Sequence, residues 1–511
     1  MPDIATFLDE KKTEVSFAFK TNEERELYNQ IAEDVKDMNE YASPARSRAR
    51  AAVQGYMALA LESFTQTNRS RIFPPTIHAM VYSRIAMEAA NPPNVMYKSR
   101  RQSSEPKMKF INAARRNAEN GDGHFRPDSR HLWFHQNFDK ILFGVGFRYL
   151  SYQIQTRQVR TKDENGKWKE KKMVVYDDIW DEVPDFFNVG VSRDTMPGMF
   201  GGNSCYMDKF YKEEVFKAAF PDDVYQNLEM VKPGGWFDDQ VDTYTDVPDN
   251  FIRVRYYWNL AKDLYYVMAN GIPIRTDYIL DYGPDPNKPR KFLPITSIHN
   301  DVCFETSEGV EPYMNLGISG SSSASGRVFS QGTNFSAAKS FWSKGDPYLV
   351  QSMIGLKNSL WRAASDNIKA SSVHFLMSNN PGVIDQIQSA DLYGVVPLKT
   401  DASSFNVQSL LQNSQFLAQW QGMDQIIDNV MKFALGNDWE RAASELTNEK
   451  ATVAAIRQQV QRIRMSHNQK FNESGGIKRH YAVLLNLIQQ YYPEPVLEDL
   501  VDGEVPEGTD E

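Results

Sequence analysis

In the last third of the chain the apolar positions repeat at alternating steps of four and three. Leu349, Met353, Leu356, Leu360 and Ala363 form one such stripe, and Phe416, Trp420, Met423, Ile427, Val430 and Ala434 form a second. That spacing keeps one face of a helix apolar and predicts two similar rods. Asp346 fits an N-cap with Pro347 at the first helical position, and Gly436 fits the residue just past a helix end. Each rod is about two dozen residues, or about 35 Å, at the rise of an α-helix. Between them, residues 371–405 hold a strand-like VHFLM, an Asn380-Pro381-Gly382 turn, a short helix and a strand-like GVVPL, which together predict a small α/β insert. After Trp439-Glu440-Arg441 a third helix is predicted, with Val453, Ile456, Val460 and Ile463 as its stripe. Gly475-Gly476 ends it, and Tyr481 to Tyr492 predicts one more.

The first part of the chain reads differently. From about Glu23 to Arg116 the pattern is helical: Val53, Met57, Leu61 and Phe64 share a face, and Ile77, Val81 and Ile85 repeat the spacing after Pro74-Pro75. His131 to Ile141 continues as helix, and Gly144 and Gly146 mark a switch to alternation. QTRQVRT and WKEKKMVVYD flank Asn165-Gly166, a pair suited to a tight hairpin turn. Further strands are predicted at Phe186 to Val191, Phe251 to Trp258 and Tyr265 to Ala269, the last closing a second hairpin at Asn270-Gly271. The fold class is therefore α+β. Gly317 to Gly345 is rich in Ser and Gly with little periodicity and reads as a loop or linker. Its Phe329, Phe335, Phe341 and Trp342 leave a second reading open, an arm that packs on a neighbouring subunit.

At 511 residues, 41% of them hydrophobic, the chain is long enough for two or more lobes. Cys205 and Cys303, far apart, give neither a disulfide framework nor a zinc signature, which fits a reducing compartment. The start, MPDIATFLDEKKTE, is charged where a leader needs an apolar core, and no stretch is apolar for bilayer length, so no membrane association is expected. A net charge of -9 argues against a protein that coats nucleic acid. The charge is uneven: residues 43–131 carry 15 Lys and Arg against 6 Asp and Glu, and residues 494–511 carry eight acids and no base. The basic segment reads mainly as solvated faces and ion pairs, and the acidic end as a solvated tail.

Phosphate-binding, zincin, nucleophile-elbow and dinucleotide motifs do not occur in a usable context. His124, His131 and His135 contain an i,i+4 step that would hold a metal if all three converged, but no acid or Cys sits at a matching spacing, so packing or surface roles are preferred and neither metal nor cofactor is expected. Asp177, Asp178, Asp181 and Glu182 could hold Mg²⁺ in a nuclease, yet a consecutive run splays its carboxylates apart. Self-assembly rather than catalysis is the expected role.

Several segments, in their order, resemble portal proteins, the head-to-tail connectors of tailed double-stranded DNA bacteriophages. DKILFGVGFRYLSYQ is similar to the family's helix-to-strand passage, and EVPDFFNVGVSRDT to its P-x-x-F/Y-x-V-x-x-D strand. FIRVRYYWNLAKDLYYVMANGIPI followed by RKFLPI is similar to its V-x-x-Y-W-N, D-x-Y, N-G-V-x-I hairpin. SKGDPYLVQSMIGLKNSLWRAASDNIKAS resembles the first stem helix, and SELTNEKATVAAIRQQVQRI the T-x-E-rich start of the long inner helix.

The resemblance implies a portal-like fold: an α/β wing over 1–345, stem helices over 346–371 and 412–435, and a small α/β clip over 372–411. A channel loop over 436–446, a long wing helix over 447–473, and a reduced crown with acidic tail over 474–511 complete it. It also implies a non-enzymatic homo-oligomeric ring, usually of twelve subunits, at the capsid vertex of the virion, assembled in the host cytoplasm. Its expected partners are capsid and scaffolding proteins, the terminase large subunit, the head-tail adaptor and the double-stranded DNA that passes through. Trp439 and Glu440 would then project at the constriction, and Arg441, Lys450, Arg457, Arg462 and Arg464 would guide DNA, with subunit ion pairing open as the other role of the arginines. Asn379, Asn380 and Asp385 are the candidates for terminase or adaptor contact.

Overall fold

The computed structural model describes residues 19–57, 75–89, 95–98, 105–120, 128–162, 168–195, 203–220, 225–234, 250–259, 261–262, 264–278, 280–282, 289–292, 304–305, 329–333, 335–337, 340–372, 374–378, 405–409, 414–435 and 476–491. They form an α+β protein in which every strand pairing among the described residues is antiparallel. The chain divides into two compact units, one made of Met1–Ala52, Val81–Tyr348 and Arg462–Glu511, the other of Val53–Met80 and Leu349–Gln461.

The first described element is helix α1 (Asn22–Tyr56). Thr21 and Glu24 form a capping box: the Thr21 hydroxyl accepts from the Glu24 N–H at 3.2 Å, and the Glu24 carboxylate accepts from the Thr21 N–H at 3.3 Å. Helices α2 (Thr76–Ala89) and α3 (Glu105–Asn120) follow, so the helical opening expected from the apolar spacing is present, and Ile77, Val81 and Ile85 are buried as that spacing predicts. Met57, expected on the same face as buried Val53, is 54% exposed. Helix α4 (Ser129–Phe143) is capped by Asp128, which accepts from the Arg130 N–H, and ends at Gly144. The φ of +100° at Gly144 is open to glycine, and the chain leaves it directly as a strand.

That strand, β1 (Val145–Lys162), pairs with β2 (Trp168–Glu182) as a long hairpin, Lys162 opposite Trp168, in agreement with the Asn-Gly signal between them. A 3-10 turn at Phe186–Asn188 leads into β3 (Val189–Val191), then β4 (Ser204–Lys212), the short helix α5 (Glu213–Ala219), β5 (Phe251–Asn259), β6 (Leu264–Ala269) and β7 (Ile272–Tyr278). Strands β3 to β7 form one sheet in sequence order. Asn270 turns β6 into β7 with φ 49°, and its side chain accepts from the Arg253 N–H and donates to the Lys232 carbonyl.

Both faces of this sheet are covered, because successive side chains of a strand point to opposite sides. Val254, Tyr256, Trp258 and Tyr265 join a core with Phe147, Tyr149, Phe186 and Phe187. Tyr257, Tyr266 and Met268 on the other side meet Ile31, Val35 and Met38 of α1. Charges inside the sheet are paired: Asp208 and Arg255 stand directly opposite on β4 and β5 and bond through two contacts of 2.7 Å. The buried Arg46 guanidinium donates to Asn39, the Val189 carbonyl and the Tyr206 hydroxyl. Part of the basic segment thus serves internal bonding.

The Ser/Gly-rich stretch requires a correction. Short strands β8 (Leu280–Tyr282), β9 (Pro289–Phe292) and β10 (Phe304–Glu305) precede it, and its second half is β11 (Phe329–Thr333), β12 (Phe335–Ala337) and β13 (Ser340–Lys344). Strand β11 pairs with the start of β1, and Phe341 and Trp342 are buried among Phe147 and Phe186. These two aromatics belong to the chain's own core, neither in a linker nor on an arm to a neighbour. Gly345 is there for close approach: a Cβ would sit 2.1 Å from the Leu142 carbonyl oxygen.

After α6 (Asp346–Leu349), helix α7 (Gln351–Ser372), strands β14 (His374–Ser378) and β15 (Phe405–Ser409) and helix α8 (Ser414–Leu435) make up most of the described part of the second unit. The last described element, α9 (Lys478–Tyr491), returns to the first unit and packs Tyr481, Leu484, Leu487 and Ile488 on Ala114, Ala118, Leu150 and Ile179.

Candidate assembly surface

Helices α7 and α8 run antiparallel. Lys357 meets Asp428 across 71 residues of sequence and Trp361 meets Asp424 across 63, a shortening only opposite chain directions produce. Strands β14 and β15 continue the hairpin, with His374 opposite Ser409 and Ser378 opposite Phe405. His374–Met377 of the strand-like VHFLM are therefore in a strand whose partner is Phe405–Ser409, which the apolar pattern did not predict, while GVVPL lies outside the described residues.

The seam between the two helices holds buried charge. Lys357 Nζ donates to Asp428 Oδ1 at 2.5 Å and lies 3.7 Å from Asp424 Oδ1, and its side chain is only 10% exposed. Asp424 also accepts from the Trp361 indole N–H at 3.0 Å, and the Trp361 and Trp420 rings meet edge to face at 5.1 Å. Charge-assisted bonds of this kind are stronger than neutral ones, and together they fix the register of the pair.

The predicted apolar stripes do not fill this seam. Leu349, Leu356, Met423, Ile426 and Val430 are 38%, 46%, 47%, 63% and 42% exposed. Met423, Ile426 and Val430, at steps of three and four, share one face of α8. Of the second predicted stripe, Ile427 is buried, and of the first, none is fully buried. Gly355 and Gly422 stand mid-helix where an added Cβ would meet nothing within 4 Å, although a glycine there costs about 1 kcal/mol relative to alanine. Ile354 and Ala364 of α7 and Ile427, Met431 and Leu435 of α8 are buried, so the pair has an apolar inner face into which Lys357 brings charge, while Leu356, Met423, Ile426 and Val430 leave hydrocarbon outside.

The residues singled out for the channel, Trp439, Glu440, Arg441, Lys450, Arg457, Arg462 and Arg464, lie outside the described residues. So do Asn379, Asn380 and Asp385, the helix expected from Thr447 to Asn472, and the acidic end. The residues of the seam, Lys357, Trp361, Asp424 and Asp428, were not singled out by the sequence pattern. Their only signal is that each falls off the apolar stripe of its own helix.

The acidic run is brought to a different use than metal binding. Asp181 accepts from Arg148 through Nε, at 3.0 Å to each oxygen, and through a terminal nitrogen at 2.5 Å, while Arg148 also donates to the Ser129 hydroxyl. Glu182, on the opposite side of β2, pairs with Lys209 at 2.5 Å and accepts from the Trp180 indole. Burial works against the Lys209 charge, but Glu182 and Tyr211 together hold the ammonium above its ordinary range. The Asp178 carboxylate accepts from the Ile179 N–H. Two-metal chemistry needs carboxylates that converge, and those of Asp181 and Glu182 diverge onto separate cations, while the Asp177 side chain lies outside the described residues. His480 lies 3.6 Å from Asp181, and burial, aided by Arg148, pushes its imidazole well below the usual range. Among the described residues no group of three or more His, Cys, Asp or Glu is placed to hold a metal, and no helix is long and apolar enough to cross a membrane.

Compared with known proteins, the sequence matches no protein-family model and no curated protein.

Proposed function

We propose that this chain is a portal subunit of a tailed double-stranded DNA bacteriophage, a ring-forming structural protein without catalytic activity. In this reading α7 and α8 are the stem, β14 and β15 the base of the clip, and the α+β unit the wing. The ring stands at the capsid vertex of the virion, passes DNA during packaging and ejection, and docks the terminase large subunit and then the head-tail adaptor. The observation that carries the proposal is the apolar face that the helix pair leaves exposed. Exposed Leu356, Met423, Ile426 and Val430 need a cover, and a ring supplies one to every subunit by repeating a single heterologous contact until it closes. Burying such side chains is worth about 1.5–3 kcal/mol each, enough in combination to hold a ring.

A mildly acidic chain suits a conduit, because grip on DNA scales with the phosphates that Lys and Arg neutralise. The nuclease alternative loses support, since Asp181 and Glu182 are engaged by Arg148 and Lys209. Deleting residues 379–404, the segment between the paired strands, separates a portal from another self-assembling virion protein. A portal clip variant still closes rings but no longer retains purified terminase large subunit. Loss of rings on that deletion would make the segment an assembly element and count against the clip assignment.

A further inference from the structure

Helix α4 presents His131 and His135 one turn apart, both exposed, with their Nε2 atoms 3.0 Å apart and their rings edge to face at 4.5 Å. We propose that this pair is a two-ligand site for a divalent first-row transition metal, selective for Cu²⁺ and Ni²⁺ geometry over the tetrahedral geometry of Zn²⁺, with water on the remaining positions. The inference stands apart from the assembly reading.

The separation of the nitrogens decides the class of metal. Metal–imidazole bonds of about 2.05 Å to two atoms 3.0 Å apart subtend about 94° at the metal, the angle between neighbouring positions of a tetragonal or octahedral ion. A tetrahedral ion would need the two nitrogens about 3.3 Å apart. The pair is also held in place. Asp128 caps the start of α4, Gly144 ends it, and Leu132, Gln136, Lys140 and Ile141 anchor its other face, so little ordering is left for the metal to impose. Phe134 backs His135 edge to face at 5.7 Å.

A metal requires both rings neutral. Without metal, one Nε2–H donates to the other Nε2. On binding, that proton moves to Nδ1 of the same ring, and both Nε2 lone pairs point at the ion with no net proton release. No third protein ligand stands beside the pair among the described residues, and His124 lies outside them.

Titration of the full chain with CuCl₂, NiCl₂ and ZnCl₂, followed by calorimetry and by the frozen-solution Cu²⁺ spectrum, tests the site. The expected result is one Cu²⁺ equivalent with two equatorial nitrogens, Ni²⁺ bound at least as tightly as Zn²⁺, and a tenfold or greater loss of affinity in His131→Ala and in His135→Ala. His78→Ala, a change at another exposed histidine, keeps that equivalent. Thermal melts of the metal-free variants check that they fold, and either variant alone reads the site should the other misfold. A Cu²⁺ equivalent with an unchanged spectrum in both variants, one lost in His78→Ala, or tighter binding of Zn²⁺ than of Ni²⁺ would overturn the proposal.

Discussion

Leu356 and Lys357 are adjacent in the chain and occupy the places their chemistry would assign to each other. The lysine is 10% exposed and bonded to Asp428 inside the helix pair, while the leucine beside it is 46% exposed. Such an arrangement leaves hydrocarbon in water for as long as the protomer is alone. It becomes favourable when an identical surface, or a complementary one, covers the leucine.

Leu356→Asp and Ile426→Asp are therefore expected to leave the protomer's melting temperature nearly unchanged, since substitutions at such exposed sites stay within about 0.5 kcal/mol. Each should raise the concentration needed for assembly by more than tenfold, because about 1.5–3 kcal/mol of burial is lost at every contact. Sedimentation velocity over a concentration series reads both effects. Assembly unchanged in both variants would remove these residues from the interface.

Lys357→Met should do the opposite. It strips the cation from Asp424 and Asp428, whose side chains are 19% and 36% exposed, and leaves two carboxylates one turn apart on α8 without it. A loss of about 1–3 kcal/mol in the stability of the unit is expected, less than for a fully buried pair because Asp428 still reaches water. Denaturant unfolding followed through Trp361 and Trp420 fluorescence measures it, and Asp424→Asn should cost less than Lys357→Met.

Arg84 and Asp346 form a buried ion pair across 262 residues, with contacts of 2.5 and 2.6 Å and side chains 7% and 0% exposed. Arg84→Met strands a carboxylate out of water and is expected to cost about 3–5 kcal/mol. The double variant Arg84→Met/Asp346→Leu should recover part of that loss. Equilibrium unfolding of the parent, Arg84→Met, Asp346→Leu and the double variant gives the coupling, and a double variant worse than the sum of the singles would contradict the pairing.

His480 sets a pH dependence. Its folded-state pKa lies well below the ordinary 6.5, so below that value the unfolded chain binds a proton that the folded chain refuses. Its contribution to stability is intact above pH 6.5 and falls as the solution is acidified toward the folded pKa. Asp139 and Asp185, raised above their ordinary range mainly by burial, push the other way in acid, so the comparison must be made within one variant pair. Stability should decline less steeply on acidification in His480→Gln than in the parent chain, and equal slopes would rule out the histidine as the cause.

What could be read from sequence was local. The β1–β2 hairpin and the helix-to-strand switch at Gly144 depend on neighbours in the chain, and both are where the pattern put them. The strands from Phe329 on were not legible, because Phe341 and Trp342 are held by Phe147 and Phe186, more than 150 residues earlier, and Ser and Gly hide the alternation. The stripes on α7 and α8 showed where hydrocarbon recurs but could not say whether it faces the partner helix or the outside, since spacing carries no information about what lies opposite. Lys357 and Asp424 settle that question only in three dimensions. The capping box at Thr21 and Glu24 was present as a motif and went unread.

Electron-microscope images of the purified chain at high concentration test the account most directly. Closed rings of one size with a central hole, abolished by Ile426→Asp, are the predicted result. Particles that remain single protomers at every concentration, or open aggregates that Ile426→Asp leaves unchanged, would contradict it.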